Sequence, residues 1–260
     1  MDVATRPPAA DMDEAEWQVR CDLAALYRLV AHYGMTDFIY THISARVPGA
    51  EHHFLINQYG VLFEDMRASD LVKIDLDGKI VNQDENRSRR VNAAGFTIHS
   101  AVHAARPDLK CLIHTHSTAA MAVSAQKQGL LPITQTALKF YGKTSYHAFE
   151  GIALDHEERP RLIADLGPVN KVMILTNHGF LAGGENCAEA FLEIYYLERA
   201  ARAQIAALSG GAELVFPSEA VRLRTAAQFE PEGRQREAYL RMTWKTALRQ
   251  IENGPTDYRS

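Results

Sequence analysis

Lys110-Cys111-Leu112-Ile113-His114-Thr115-His116 is the stretch that decides how this chain folds and what it can hold. An apolar run ending in His-x-His reads as a strand, in which successive side chains alternate faces, so His114 and His116 point the same way about 7 Å apart. Both rings can then reach one ion. Farther on, Lys171-Val172-Met173-Ile174-Leu175-Thr176-Asn177-His178-Gly179 has the same form, with its histidine at the C-terminal end of a β-branched run. Such strand ends open into ligand clefts in α/β proteins, which makes His178 the expected third ligand. Three imidazoles with one coordination position left open is the pattern of a catalytic metal site, whereas structural zinc is closed by four ligands rich in Cys. The alternative, half-buried strand histidines with ordinary hydrogen-bond partners, suits a lone histidine better than this grouping.

Bulk properties narrow the rest. A chain of 260 residues with 47% hydrophobic content can build one large core. Its formal net charge of −4 carries no basic footprint for nucleic acid or an anionic membrane, so a small polar substrate or a protein partner is expected instead. No apolar run reaches the length of a membrane span, and Met1–Ala10 lacks the apolar centre of a secretory signal, which makes a cytoplasmic location the expectation. Cys21, Cys111 and Cys187 sit in apolar patterns and read as reduced, packed thiols.

Three regions follow from patterning: residues 1–10, Pro/Ala-rich and expected to be disordered; a main domain over 11–210; and a helical extension over 211–260. Asp11–Tyr33 reads as an amphipathic helix stopped by Gly34. Phe38–Val47 alternates with period two and reads as a strand with a polar face of Tyr40, His42, Ser44 and Arg46. Short strands are expected at His53–Asn57 and Val61–Phe63, and Leu71–Val81 reads as a hairpin turning at Asp77-Gly78. The first third is therefore mostly antiparallel sheet. Asn82–Arg90 reads as a charged loop, and a helix over Ala94–Ala105 ends before Pro107. Beyond the His-x-His strand come a helix capped by Ser117 and ended by Gly129, a short strand over Ser145–Phe149, and a helix over Arg159–Leu166. A strand over 171–176, a long helix over Asn186–Leu208 and a charged helix over Pro231–Glu252 complete the pattern. Gly183-Gly184 reads as a turn.

These motifs in this order resemble the class II aldolase/adducin family: Ile113-His114-Thr115-His116, the lead-in Ala104-Ala105-Arg106-Pro107-Asp108, the turn Asn177-His178-Gly179 and the early strand Thr41-His42-Ile43-Ser44-Ala45-Arg46. The resemblance implies an α/β, three-layer α/β/α fold around a mainly antiparallel central sheet. It also implies a divalent metal, zinc first, on His114, His116 and His178, and a homo-oligomer, commonly a tetramer. In the sugar-phosphate aldolases a Ser-Ser-Glu leads the helix that ends in Arg-Pro-Asp, its Glu serving as ligand or base; here those positions read Ala93-Ala94-Gly95, and the Ser-Gly turn of those enzymes reads Tyr59-Gly60. Phe96–Asp108 is closer to the adducin head domains.

Moving a proton next to a carbonyl needs a side chain of suitable pKa, and Gly95 offers none. His42 and His99 are the candidates for that work, with Ser44, Arg46, Tyr59, Gly95 and Lys139 for binding substrate. His99 and His103, four apart on a helix, also fit simple packing against a sheet. A metal there acts as a Lewis acid on a hydroxy-carbonyl compound, which fits retro-aldol cleavage or decarboxylation without a phosphate. Iron(II) on the same histidines, as in a non-haem oxygenase, is an alternative. A non-catalytic adducin-like interaction module is another, with Arg234, Arg236, Arg241, Lys245 and Arg249 on the last helix as its surface or as a plain solvated face.

Overall fold

The computed structural model describes residues 12–49, 52–81, 90–152, 156–252, 254 and 257–260. The segment 1–10 and most of the expected charged loop at 82–90 lie outside these residues.

A seven-stranded sheet organises the chain in the order β3-β2-β1-β4-β7-β6-β5. The strands are β1 His42–Arg46, β2 Phe54–Ile56, β3 Val72–Ile74, β4 Cys111–Thr115, β5 Thr144–His147, β6 Val172–Leu175 and β7 Gly179–Gly184. Neighbours pair antiparallel except β5 with β6, which run parallel. Helices cover both faces. Against one lie α1 Glu14–His32, α3 Thr118–Ser124 and α6 Cys187–Ser209, sharing a core with Leu26, Leu29, Ile43, Ile113, Phe180 and Ile194. Against the other lie α2 Ala93–Ala105 and α5 Arg159–Leu166, packed through Ile98, Val102, Leu162 and Leu166 onto Leu112, Met173 and Leu181. The family expectation of three layers around a mostly antiparallel sheet is what the chain adopts.

Local chemistry sets the boundaries. Asp13 caps α1 by accepting from the Ala15 N–H, and Gly34 takes the left-handed conformation, φ +66, that ends it. Asn186 and Ser117 cap α6 and α3 in the same way. The short α4, Gln135–Leu138, capped by Thr134, was not expected from the pattern.

Several expectations change. The strand over Phe38–Val47 begins only at His42, because Phe38 is left-handed, φ +50, which no strand residue adopts. Val61–Phe63 is not a strand; a 3₁₀ turn runs over Phe63–Asp65 instead. The Leu71–Val81 hairpin shrinks to β3 and a bridge between Ile74 and Ile80, with Gly78 at φ +82.

Gly183-Gly184, read as a turn, is the end of β7, paired with Leu112 and Cys111 of β4. Its glycines answer close approach: a Cβ on Gly183 would stand 2.9 Å from a Leu112 methyl, and one on Gly184 2.5 Å from the Ala190 nitrogen at the start of α6. In the extension, α7 Glu219–Gln228 and α8 Gly233–Leu248 form two helices where the sequence suggested one, and Trp244 of α8 donates to Asp22 of α1.

Arg106 shows what the Arg-Pro-Asp lead-in does. Its guanidinium is bidentate on Asp108 at 2.9 and 2.7 Å and donates to the carbonyls of Gly167 and Asn170, tying the α2–β4 corner to the segment ahead of β6. The Asp108 carboxyl is held below its ordinary pKa by this hydrogen bond.

Candidate metal centre

His114 is the penultimate residue of β4 and His116 the residue beyond it, so the pleat sends both rings to one side. His178 comes from the tight turn between β6 and β7, where Asn177 adopts φ +56, a conformation its short side chain tolerates. Because β7 pairs with β4, this turn lies beside the end of β4. A Cβ on Gly179 would run into the Thr115 carbonyl and stand 3.1 Å from the His116 ring, so glycine is what lets His178 approach.

The three Nε2 atoms converge. His114 and His116 stand 2.7 Å apart, His114 and His178 3.2 Å, and all three ligand atoms lie within 4.8 Å of one another. The opposite nitrogens are engaged: His114 Nδ1–H donates to the Phe180 carbonyl at 2.9 Å, and His116 Nδ1–H to the Asp37 carboxylate at 3.0 Å. Carbonyl and carboxylate only accept, so each of these two rings donates from Nδ1 and turns its Nε2 toward the other ligands. Outer partners on Nδ1 are the usual support of metal-bound histidine. Burial, and then the neighbouring rings, push His114 well below the ordinary imidazole pKa and His178 down to about 4, which keeps them in the neutral form that metals bind. Tetrahedral zinc with bonds of about 2.0–2.1 Å puts its nitrogens about 3.3 Å apart. The trio therefore fits a divalent ion after His114 and His116 part slightly.

Behind the trio lies a buried polar file. His42 is the direct cross-strand partner of His114, with ring centroids 5.0 Å apart, and its other side meets the His99 ring at 4.4 Å. Gly95, His99 and His103 recur every four residues on α2, so one helix face lies over the His42, Ser44, Arg46 face of β1. Ser44 Oγ bridges His99 Nδ1 at 2.7 Å and His103 Nε2 at 2.8 Å. Burial keeps His42 and His99 neutral and brings His103 down to about 3. His99 Nε2 is buried without a protein hydrogen-bond partner.

Gly95 explains where His42 sits. A Cβ there would stand 2.7 Å from His42 Cγ and Nδ1, so the ring fills the volume in which a side chain at residue 95 would start.

The substrate-binding expectations fare differently. Ser44 is fully buried between His99 and His103. Arg46 donates to the His103 carbonyl and contacts His52. Tyr59 is tied through its N–H to the Arg90 carbonyl. Lys139 is ion-paired with Glu193 of α6, at a separate cleft of about 820 Å³ that Tyr196, Arg236 and Tyr239 also line. Pattern reading missed Asp37 and Phe149, whose ring lies 6.3 Å from that of His178. Asp37 carries no local signal, standing 79 residues from its partner.

Residues 21–205 match the sequence model of the class II aldolase and adducin N-terminal domain. A putative aldolase class 2 protein of Caulobacter vibrioides is 54% identical over 205 residues, 79% of this chain and 78% of that protein. Alpha-adducin of Rattus norvegicus is 46% identical over 197 residues, 76% of this chain but 26% of that protein. Among solved structures, an aldolase II superfamily protein of Pseudomonas syringae superposes with a TM-score of 0.88 at 49% identity, covering 96% of this chain and 98% of that one. L-fuculose 1-phosphate aldolase of Glaciozyma antarctica gives 0.78 at 27% identity, over 96% of this chain and 97% of that one. The chain belongs to the class II aldolase and adducin family.

Proposed function

We propose that the chain is a divalent-metal-dependent lyase, of aldolase or decarboxylase type, acting on a small hydroxy-carbonyl compound that carries no phosphate. The observation that carries this reading is the convergence of three Nε2 atoms whose two Nδ1 partners, the Phe180 carbonyl and Asp37, fix the rings. A divalent ion held by His114, His116 and His178, zinc before iron(II), supplies Lewis-acid polarisation of the substrate carbonyl. The protein's own contribution is positional. Asp37 and Phe180 orient the ligands, and His42, neutral and ring-to-ring with His114, would offer a proton-accepting nitrogen in place of the missing carboxylate. His99 stands behind it, hydrogen-bonded to Ser44.

We further propose a cytoplasmic homotetramer. Val215, 86% exposed, and Leu223, 55% exposed, are apolar side chains of the extension open to a neighbouring subunit. No described helix is long and apolar enough to cross a membrane.

The test is to load the protein with zinc or with iron(II) and follow carbonyl products, CO2 release and O2 uptake over a panel of hydroxy acids and ketoses. Carbonyl or CO2 production with zinc supports the lyase; O2 uptake with iron(II) alone replaces it by an oxygenase. The identity to alpha-adducin supports a second reading, an interaction module, which retention of neither metal would favour.

A further inference from the structure

Two loops that touch the histidine trio present aromatic rings to water. Phe38 follows Asp37, the hydrogen-bond partner of His116, and holds a left-handed backbone, φ +50, that bulky residues avoid. Phe38 is 67% exposed, and Tyr40 two residues on is 53% exposed. From the loop after β5, Phe149, 54% exposed, sets its ring edge-on to His178. A backbone outlier kept beside a site, with its side chain outside the core, points to a task at that site.

Charge points the same way. The two cations expected to bind substrate are engaged elsewhere, Arg46 on the His103 carbonyl and Lys139 on Glu193. Among the described residues, a carboxylate, that of Asp37, is hydrogen-bonded to the trio and is 44% exposed at its side chain. Neither cation is then free to pair a phosphate or second carboxylate, whereas an uncharged ring needs no such partner.

Resting on the metal-dependent reading above, we infer that the substrate chelated at His114, His116 and His178 carries an uncharged aromatic or bulky apolar substituent that packs on Phe38, Tyr40 and Phe149. The aromatic rim is thus the specificity element of the site.

Hydroxamates, which chelate through two oxygens, test this without turnover. Zinc-loaded protein is titrated calorimetrically with acetohydroxamate, benzohydroxamate and phosphoglycolohydroxamate. Benzohydroxamate is expected to bind at least about tenfold more tightly than acetohydroxamate, the gain from burying one phenyl ring, and the phosphorylated probe no more tightly than acetohydroxamate. Phe38→Asn, which suits the left-handed backbone, and Phe149→Ser are expected to abolish the preference while leaving acetohydroxamate affinity and zinc content unchanged. Equal binding of the two uncharged probes, or tightest binding of the phosphorylated one, overturns this inference and leaves the metal site standing. Failure of all three to bind despite bound zinc, or failure to retain zinc, overturns the metal-dependent reading and this inference with it. If Phe38→Asn lowers the sedimentation mass and leaves the benzohydroxamate preference intact, the rim is a subunit contact and the inference falls.

Discussion

The ring of His42 occupies the volume in which a side chain on residue 95 would begin, 2.7 Å from a Cβ built on Gly95. The two residues are therefore coupled, and their coupling is measurable. Replacing glycine by alanine in a helix gains up to about 1 kcal/mol, whereas overpacking costs about 1–3 kcal/mol. Gly95→Ala is expected to destabilise the protein, and the same change in a His42→Ala background to stabilise it. A urea double-mutant cycle reads the difference; additive effects would show that His42 is not seated against α2.

Asp37 holds His116 by its Nδ1 proton and contributes nothing to the core, being partly exposed. Asp37→Ala is expected to weaken zinc affinity by about 10–100-fold, the usual effect of removing an outer partner, with thermal stability of the metal-free protein unchanged. Competition against a fluorescent zinc chelator measures it. Unaltered affinity would remove Asp37 from the site.

The file of His42, His99 and His103 makes stability depend on acid. His103 has an ordinary pKa of 6.5 when unfolded and about 3 when folded, because burial, and then Arg46, disfavour its charged form. Between these values the unfolded chain binds more protons, so stability falls as pH drops below about 6.5 and is unaffected above it, by up to about 1.4 kcal/mol per pH unit for each such histidine. His103→Gln is expected to flatten the decline of unfolding free energy between neutral pH and about pH 5. An unchanged slope would contradict a neutral, buried His103.

Arg106 anchors the α2–β4 corner through a bidentate pair and two carbonyls. Lysine keeps the charge but not the planar fork, so Arg106→Lys is expected to cost about 2–4 kcal/mol in chemical denaturation. A cost under about 0.5 kcal/mol would mean the corner is held by packing alone.

Part of this is legible in the sequence. His114, His116 and His178 could be paired on paper because a two-residue repeat and a strand-end position fix where side chains point, whatever the rest of the sheet does. β7 was not, since Gly179-Phe180-Leu181-Ala182-Gly183-Gly184 carries the glycines that close packing against Thr115, Leu112 and Ala190 demands, and glycine-rich runs imitate turns. Ser44 and Arg46 were correctly placed on one face with His42, but whether that face meets water or α2 depends on tertiary packing. Asp37 depends on chain reversal over a long separation and left no periodic trace.

The most direct test of the account is metal binding by the purified protein and by His116→Ala, read by elemental analysis and by the visible spectrum after cobalt(II) substitution. The wild type is expected to hold a single divalent ion per chain with the strong visible bands of a low-coordinate cobalt centre, and His116→Ala to lose most of that ion while remaining folded. No retained ion in the wild type, or equal retention by His116→Ala, would contradict the claim that the three imidazoles form one metal site.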